Sequence, residues 1–276
     1  MKKTILLLAL FMTTNLVINA QEIGLQLYSV RNQTKTDLEG TLKKIRALGI
    51  RELEGIDFYG KSVTDYKKLL DKLDFNFVGF GVDYKDLSKD LTQVIYNAKT
   101  LGATYVICYG IPHEGNEFNI KNVVDAAVVF NKAGKIFKES GLEFCYHPHG
   151  FEFRPSKNGT LFDDLIAKTI PAYVNYELDV YWAKQGGADP VELLKKYPKR
   201  FSLLHLKDRL IGTVSNDTGS ADEETNVILG KGDVNIKDVM SAAKFSAVKH
   251  YFIEDESSSV MSQLPLSLAF LKSLKN

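Results

Sequence analysis

Cysteine, tryptophan and runs of like charge are scarce in this sequence. Its 276 residues include two cysteines and one tryptophan, and 35 Lys and Arg residues nearly balance 34 Asp and Glu. A near-neutral chain without a basic block argues against nucleic acid as a partner. Cys108 and Cys145 each lie inside an apolar run, so we interpret them as two buried free thiols, with one disulfide as the alternative.

The sequence also lacks an interdomain linker and a glycine-rich phosphate-binding loop. No low-complexity linker separates two parts, and about 250 residues suit one barrel-sized domain or two small ones. The segment after the first predicted strand, QLYSVRNQ, has no glycine-rich pattern. That absence argues against a dinucleotide-binding, doubly wound sheet.

The first twenty residues have the pattern of a targeting segment. Lys2 and Lys3 precede a largely apolar stretch, and the residues up to Ala20 resemble a cleavage site. The apolar stretch is short for a membrane span, and a buried N-terminal helix is the alternative. We predict a signal peptide over residues 1–20 and one mature domain over 21–276. Export follows, to the periplasm of a Gram-negative source, with no membrane association after cleavage.

Downstream, strand-like apolar runs alternate with amphipathic segments. The predicted strands are Ile23–Val30, Arg51–Ile56, Phe75–Val82, Thr104–Tyr109, Leu142–Tyr146, Val174–Leu178, Phe201–Leu206 and His250–Ile253. Helical patterns follow each strand, the last two over Ile236–Ala243 and Pro265–Leu274. Eight strand–helix units in about 250 residues predict a (β/α)8 TIM barrel, with an open doubly wound sheet as the alternative.

Groups that can bind a metal stand at the ends of the last four predicted strands. They are His147, His149 and Glu152 after the fifth strand, Asp179 after the sixth, His205 in the seventh, and Glu254 after the eighth, while the cation Lys207 follows the seventh strand. Active sites of such barrels lie at this end. Mixed carboxylate and imidazole ligation suits Mn²⁺, Co²⁺, Zn²⁺ or Mg²⁺. Each residue alone has a structural interpretation, but their shared position favours one divalent metal site.

Other residues at this rim are candidate substrate contacts. Tyr28 and Arg31 follow the first strand, Glu54 ends the second, and Trp182 could form a wall against the apolar face of a sugar. The loop from 209 to 229 is interpreted as a solvated connection rather than a lid.

Five motifs, in order and spacing, resemble the xylose-isomerase-like TIM-barrel family. They are YHPHGFEF, LDVYWAKQGGADP, LLHLKD, ILGKGDVN and FIEDE, and the similarity extends from about Glu22 to the C-terminus. Within the family they resemble the sugar isomerase/epimerase branch, which also contains inosose dehydratases. The resemblance implies a divalent metal held by Glu, Asp, His and Glu. By position, the last three ligands are Asp179, His205 and Glu254.

The first ligand is the point where this chain departs from the family. His147 stands where the epimerases have a glutamate, so we predict Glu152 as the ligand. His147 and His149 would then line the substrate pocket. This departure puts the two-glutamate mechanism of the epimerases in doubt.

The resemblance implies a metal-dependent sugar isomerase or epimerase, and the predicted signal peptide implies that it is exported. A chelated carbonyl would favour loss of a neighbouring proton through an enediolate. We predict Glu254, with His147 or Glu152, as acid–base groups and Lys207 as a donor to a substrate oxygen. The alternatives are a lyase that eliminates a β-substituent from a 3-keto sugar or inosose, and a non-catalytic sugar-binding protein. The expected partner is a small carbohydrate, and a homo-oligomer is left open.

Overall fold

Eight parallel strands close into a barrel. The computed structural model describes residues 22–274, and within them the barrel strands are β1 Ile23–Gln26, β2 Glu52–Gly55, β3 Asn76–Val82, β4 Tyr105–Cys108, β5 Glu143–Tyr146, β6 Asn175–Asp179, β7 Phe201–Leu206 and β8 His250–Ile253. Each strand pairs with the next in sequence, and β8 pairs with β1. The predicted (β/α)8 TIM barrel is confirmed.

Helices on the outside connect the strands. They are α1 Arg31–Thr36, α2 Leu38–Ala47, α3 Val63–Lys72, α4 Tyr84–Leu87, α5 Thr92–Leu101, α6 Ile120–Glu139, α7 Leu161–Lys168, α8 Val180–Gln185, α9 Pro190–Lys196, α10 Ile236–Ala243 and α11 Val260–Ser273. Local sequence sets several ends: the Ser62 hydroxyl accepts from the Asp65 amide at the start of α3, and Gly102 ends α5 at φ 81°. Within residues 22–274, no helix is both long and apolar enough to cross a bilayer.

Two boundaries differ from the prediction by several residues. The first strand ends at Gln26, because residues 27–30 form a 3₁₀ turn in which the Gln26 side chain accepts from the Tyr28 amide. Tyr28 therefore belongs to the rim of the barrel and not to a strand. The last helix begins at Val260 rather than at Pro265, and it tolerates this proline in its interior. The predicted signal peptide lies outside the described residues, so export stays a prediction.

Strand alternation separates an outer and an inner layer of side chains. Phe144 and Tyr176 face outward, where they pack against Phe130 of α6 and Phe162 of α7 at ring-centroid distances of 5.3 and 5.1 Å. The inner layer is a separate apolar cluster of Val78, Tyr105, Ile107, Cys145, Leu203 and Phe252. This cluster closes the lower part of the barrel and supports the polar groups above it.

The two cysteines are buried free thiols, as interpreted from the sequence. Cys108 is paired with Tyr146 across β4 and β5, whereas Cys145 is paired with Ile107. Neighbouring residues along a strand point to opposite faces, so one thiol faces the helices and the other the barrel interior. Strand geometry therefore prevents a disulfide between them.

Candidate functional site

Polar side chains converge above the apolar layer, at the C-terminal ends of the strands. Seven of these side chains belong to residues that are at most 8% exposed: Glu54, His147, Glu177, Asp179, His205, Lys207 and Glu254. Burying so many ionisable groups costs free energy unless each charge is paired, hydrogen-bonded or bound to a metal. The concentration of unlike charges at one end of a barrel is typical of a functional site.

Asp179, His205 and Glu254 form a group that could hold a metal ion. One potential ligand atom from each lies within 4.8 Å of the others. The His205 Nδ1 atom is 3.2 Å from Glu254 Oε2 and 4.0 Å from Asp179 Oδ2. Ligands bound about 2.1 Å from a tetrahedral Zn²⁺ lie about 3.4 Å apart, so small adjustments would bring these atoms onto one ion.

One carboxylate oxygen of Asp179 faces this group, and the other caps a helix. Its Oδ1 accepts a hydrogen bond of 2.9 Å from the Trp182 amide, which caps the short helix α8. Its Oδ2 is buried and has no hydrogen-bond partner among the described residues. The cap thus fixes the carboxylate with its free oxygen directed toward the cluster.

His147 is the second group with a buried, unpartnered atom here. Burial, together with the nearby His149 and His205, lowers its pKa well below the usual value, so the ring is neutral and carries one N–H. The Nδ1 atom lies 3.2 Å from Glu177 Oε2, and we assign that hydrogen to it because a carboxylate accepts. The Nε2 lone pair is left without a partner, 4.0 Å from Asp179 Oδ2. Neutral imidazole nitrogen is a good metal ligand, so the residues fit a divalent ion.

Glu152, the predicted first ligand, lies outside this cluster. The Tyr146 hydroxyl donates to its Oε1, and the His149 amide donates to its Oε2 at 3.1 Å. Tyr146 faces the outer layer, where its ring packs 4.9 Å from Phe130. Gly150, at φ 109°, turns the chain after β5 and directs the Glu152 carboxylate away from the barrel axis. The geometry supports His147 in its place.

Glu177, which sequence reasoning did not select, connects the two histidines. Its Oε2 faces His147 Nδ1, and its Oε1 lies 3.2 Å from His205 Nε2. Burial and the neighbouring Glu54 raise the Glu177 pKa well above its usual value. The available signal was its position two residues before Asp179, which places both side chains on the same face of β6.

Glu54 lies beneath this cluster instead of on the pocket surface. It is fully buried, and its Oε1 accepts from Gln26 Nε2 at 2.6 Å and from His205 Nε2 at 2.8 Å. The Tyr109 hydroxyl also donates to it, at 3.1 Å. Although burial alone lowers the His205 pKa, the surrounding carboxylates raise it well above its usual value. The structure therefore gives Glu54 a supporting role, and its prediction as a substrate contact is not supported.

Lys207 is a buried cation between carboxylates. Its Nζ contacts Glu256 and lies 3.3 Å from Glu254 Oε2, and the Trp182 ring centroid is 5.4 Å away. Burial lowers its pKa, but the neighbouring carboxylates outweigh burial and hold the pKa above the usual value. Lys207 does not line the pocket. Lys207 therefore balances the charge of the neighbouring carboxylates, and its position does not favour direct donation to a substrate.

A pocket of about 370 Å³ opens above these groups. The residues that line it are Gln26, Tyr28, Ile56, Tyr109, His147, His149, Trp182, Gly219, Glu254 and Glu256. Tyr28, His149 and Trp182 were predicted as substrate contacts and do lie on its wall, whereas Arg31 lies in an adjoining cavity. Glu256 was missed, although its spacing from Glu254 was a usable signal.

The loop after β7, interpreted as a solvated connection, is mostly exposed or half-buried and contributes Gly219 to one side of this pocket. Arg209 pairs with Asp233 at 2.8 Å and with Gln185 at 2.8 Å, and Arg154 pairs with Asp217 at 3.2 Å. These contacts attach the loop to the barrel.

Gly219 is the point where this loop meets the pocket, and we expect its replacement to be costly. Its φ is 63°, and a Cβ there would overlap the Phe151 ring. Gly219→Ala should therefore lose about 2–4 kcal/mol of unfolding free energy, from φ strain plus overpacking. Gly212→Ala, at φ 89° with open space around the site, should lose only the strain of about 1–2 kcal/mol. Urea unfolding compares them, and equal losses would contradict the Phe151 contact.

The comparisons with known proteins agree with this architecture. The model of the xylose isomerase-like TIM barrel family matches residues 42–274. The chain belongs to this family. Inosose dehydratases of Geobacillus kaustophilus and Clostridium tetani are 36% and 34% identical to it over 78 and 85 residues. These segments cover 28% and 30% of this chain, and the chain spans only 25% and 28% of those relatives.

Several solved structures superpose over nearly the whole chain. A sugar phosphate isomerase/epimerase from Parabacteroides distasonis has a TM-score of 0.73 at 26% identity and covers 94% of this chain and 97% of its own. An IolI protein with a bound zinc atom has a TM-score of 0.68 at 14% identity, covering 92% of this chain and 97% of its own. The resemblance found in the motifs is confirmed, and at the lower identity the likeness concerns the fold.

Proposed function

We propose that this protein is a metal-dependent enzyme that removes a proton next to the carbonyl group of a small carbohydrate. The observation that carries the proposal is the convergence of His147 Nε2, Asp179 Oδ2, His205 Nδ1 and Glu254 Oε2 at the floor of a pocket. Two of these four atoms are buried without a partner among the described residues. Family membership supports the same chemistry.

The proposed ligand set is His147, Asp179, His205 and Glu254. Two imidazoles beside two carboxylates suit Zn²⁺, Co²⁺ or Mn²⁺ better than Mg²⁺, which prefers oxygen. A bound divalent ion would supply Lewis acidity and favour negative charge on a carbonyl oxygen. Glu177 faces His147 Nδ1 and Glu54 faces His205 Nε2, so both rings are held on the side away from Asp179.

Glu256 is the best candidate for accepting the substrate proton. Its carboxylate lines the pocket. Among the described residues, potential metal ligands form two groups, His147 with Glu177 and His205, and Asp179 with His205 and Glu254, and Glu256 belongs to neither. Burial raises its pKa, which makes the carboxylate a stronger base, while contact with Lys207 fixes its orientation. Glu256→Gln should lower kcat by about 10²–10⁴-fold and leave the metal content unchanged.

The fate of the proton separates two reactions. Its return to another carbon or face gives an isomerase or epimerase, and loss of a β-substituent gives a lyase. The inosose dehydratase segments favour keeping the lyase as a second candidate. Incubation of the metal-loaded protein with keto sugars in deuterated water, followed by product analysis, distinguishes them. Absence of both C–H exchange and elimination across such a panel would contradict the proposed function.

Glu177→Gln tests the support of the two histidines. If the amide oxygen faces His147 Nδ1, the amide NH₂ replaces Oε1 and its hydrogens oppose His205 Nε2, which lies 3.2 Å away. If the amide is reversed, His147 loses its acceptor, so either orientation disturbs one imidazole. We expect metal affinity to fall by about 10–100-fold, as for other groups that orient metal ligands. Chelator competition measures the affinity, and the visible spectrum of bound Co²⁺ reports the ligand geometry.

Glu143→Gln is the matched control. Glu143 begins β5 at the opposite end of the barrel, where it pairs with Lys249 at 3.4 Å on the surface. This change should leave the affinity and the Co²⁺ spectrum as in the unmodified protein. Equal behaviour of the two variants would contradict the orienting role of Glu177.

A further inference from the structure

A second cavity adjoins the proposed active-site pocket. Its volume is about 720 Å³, roughly twice that of the pocket, and the two share Gln26, Tyr28 and Ile56. It extends over the ends of β1 and β2 toward α1. A ligand that fills the pocket can therefore continue into this cavity past the Tyr28 side chain.

The exposed ring of Tyr28 separates the two cavities, and Arg31 fixes its orientation. Tyr28 is 50% exposed and Ile56 is 46% exposed, although both lie in a concave part of the surface. The Arg31 guanidinium lies 4.3 Å from the Tyr28 ring centroid, donates to the Tyr28 carbonyl at 3.0 Å and pairs with Glu223 at 2.6 Å. An orientated ring with an exposed surface is a suitable platform for the apolar face of a sugar.

The remaining wall of the second cavity carries both signs of charge. Lys35 and Lys61 supply donors, and Asp57 and backbone groups supply acceptors. An isolated phosphate site would favour cations alone, because a nearby carboxylate repels the anion. Mixed donors and acceptors around an aromatic ring suit a neutral polyhydroxylated group instead.

We propose that this cavity is a subsite for a second ring, so that the substrate is a disaccharide or glycoside rather than a single sugar. The reacting ring occupies the pocket above Asp179 and His205, and the second ring stacks on Tyr28 and extends toward Lys61. This proposal rests on the proposed function for the identity of the reacting ring. The two-cavity geometry itself does not depend on the reaction.

Binding measurements test the subsite without turnover. Titration calorimetry on the Zn²⁺-loaded protein would compare glucose with cellobiose, and the 3-keto form of each. Contact between a second ring and Tyr28 removes apolar area from water, so we expect each two-ring probe to bind up to about tenfold more tightly than its one-ring counterpart. Failure of both two-ring probes to exceed their counterparts would overturn the proposal.

Substitutions in the second cavity test whether the affinity advantage of the two-ring probes arises there. Thr36 is exposed and lines the second cavity but not the pocket. Thr36→Trp should remove the advantage of the two-ring probes and leave one-ring affinity within about twofold. Tyr28→Ala should also remove the advantage. Retention of the full advantage in both variants would overturn the proposal.

A third probe tests the nature of the group that is bound. Glucose 6-phosphate should bind no more tightly than glucose. If it gained affinity that Lys61→Ala abolished, while cellobiose gained none, the cavity would be an anion site and the proposal would be wrong. Loss of metal or of proton exchange would instead count against the proposed function, and these are measured separately.

Discussion

The His147→Ala protein is expected to lose affinity for the divalent metal ion that we propose. Complete four-ligand sites of structural zinc are worth about 10–16 kcal/mol, or about 3–4 kcal/mol per ligand, so the affinity should fall by about 10²–10³-fold. The physical reason is that His147 Nε2 is the free lone pair nearest Asp179 Oδ2, at 4.0 Å. Elemental analysis after dialysis, followed by chelator competition, measures the loss.

Glu152→Gln is the decisive comparison for His147→Ala. The Glu152 oxygens accept from the last residue of β5 and from the loop after it, so this variant should keep the metal and lose at most some loop stability. The reverse result, with metal lost in Glu152→Gln and retained in His147→Ala, would restore the ligand predicted from the sequence. Retention in both variants would contradict the four-ligand set.

Replacement of Lys207 by Met is expected to destabilise the metal-free protein by about 3–5 kcal/mol. Removal of one partner from a buried ion pair leaves uncompensated charge, and here the pair includes Glu254 and Glu256. Methionine keeps a similar side-chain length, so the loss is mainly electrostatic. A bound divalent ion would compensate for part of the charge, and the deficit should shrink when Zn²⁺ is added. Urea unfolding with chelator and with Zn²⁺ measures both values.

Lys249→Met provides the surface reference for this experiment. Lys249 pairs with Glu143 at 3.4 Å, but its side chain is 59% exposed. Exposed pairs contribute about 0–1 kcal/mol, so this variant should remain close to the unmodified protein. If the two methionine variants lost similar stability, Lys207 would have no special role in balancing charge.

The barrel was predictable because strand and helix patterns are local. The predicted seventh and eighth strands agree with the observed limits of β7 and β8, since turn residues and apolar runs define them. The error at Pro265 arose because a proline was taken as a helix start, whereas packing of the preceding turn extends α11 to Val260. The short helix α8 was also missed, although Asp179 caps it.

The site was predictable in position and less so in detail. Asp179, His205 and Glu254 converge as expected, because strand ends of a parallel barrel meet at one rim. The choice between His147 and Glu152 depends on how the backbone turns at Gly150, and two candidates five residues apart do not reveal that turn. Glu54 and His205 are 151 positions apart in sequence, yet they lie within 2.8 Å of each other.

The strand order, the family and the rim that carries the chemistry follow from the sequence, because periodicity and motifs with fixed spacing encode them. The folded structure was needed to show that His147 Nε2 is without a partner among the described residues, that Glu177 contacts both histidine rings, and that Lys207 is buried beneath the pocket wall. These features depend on distances across a closed barrel, and closure brings together strands whose separation along the chain carries no information about side-chain orientation.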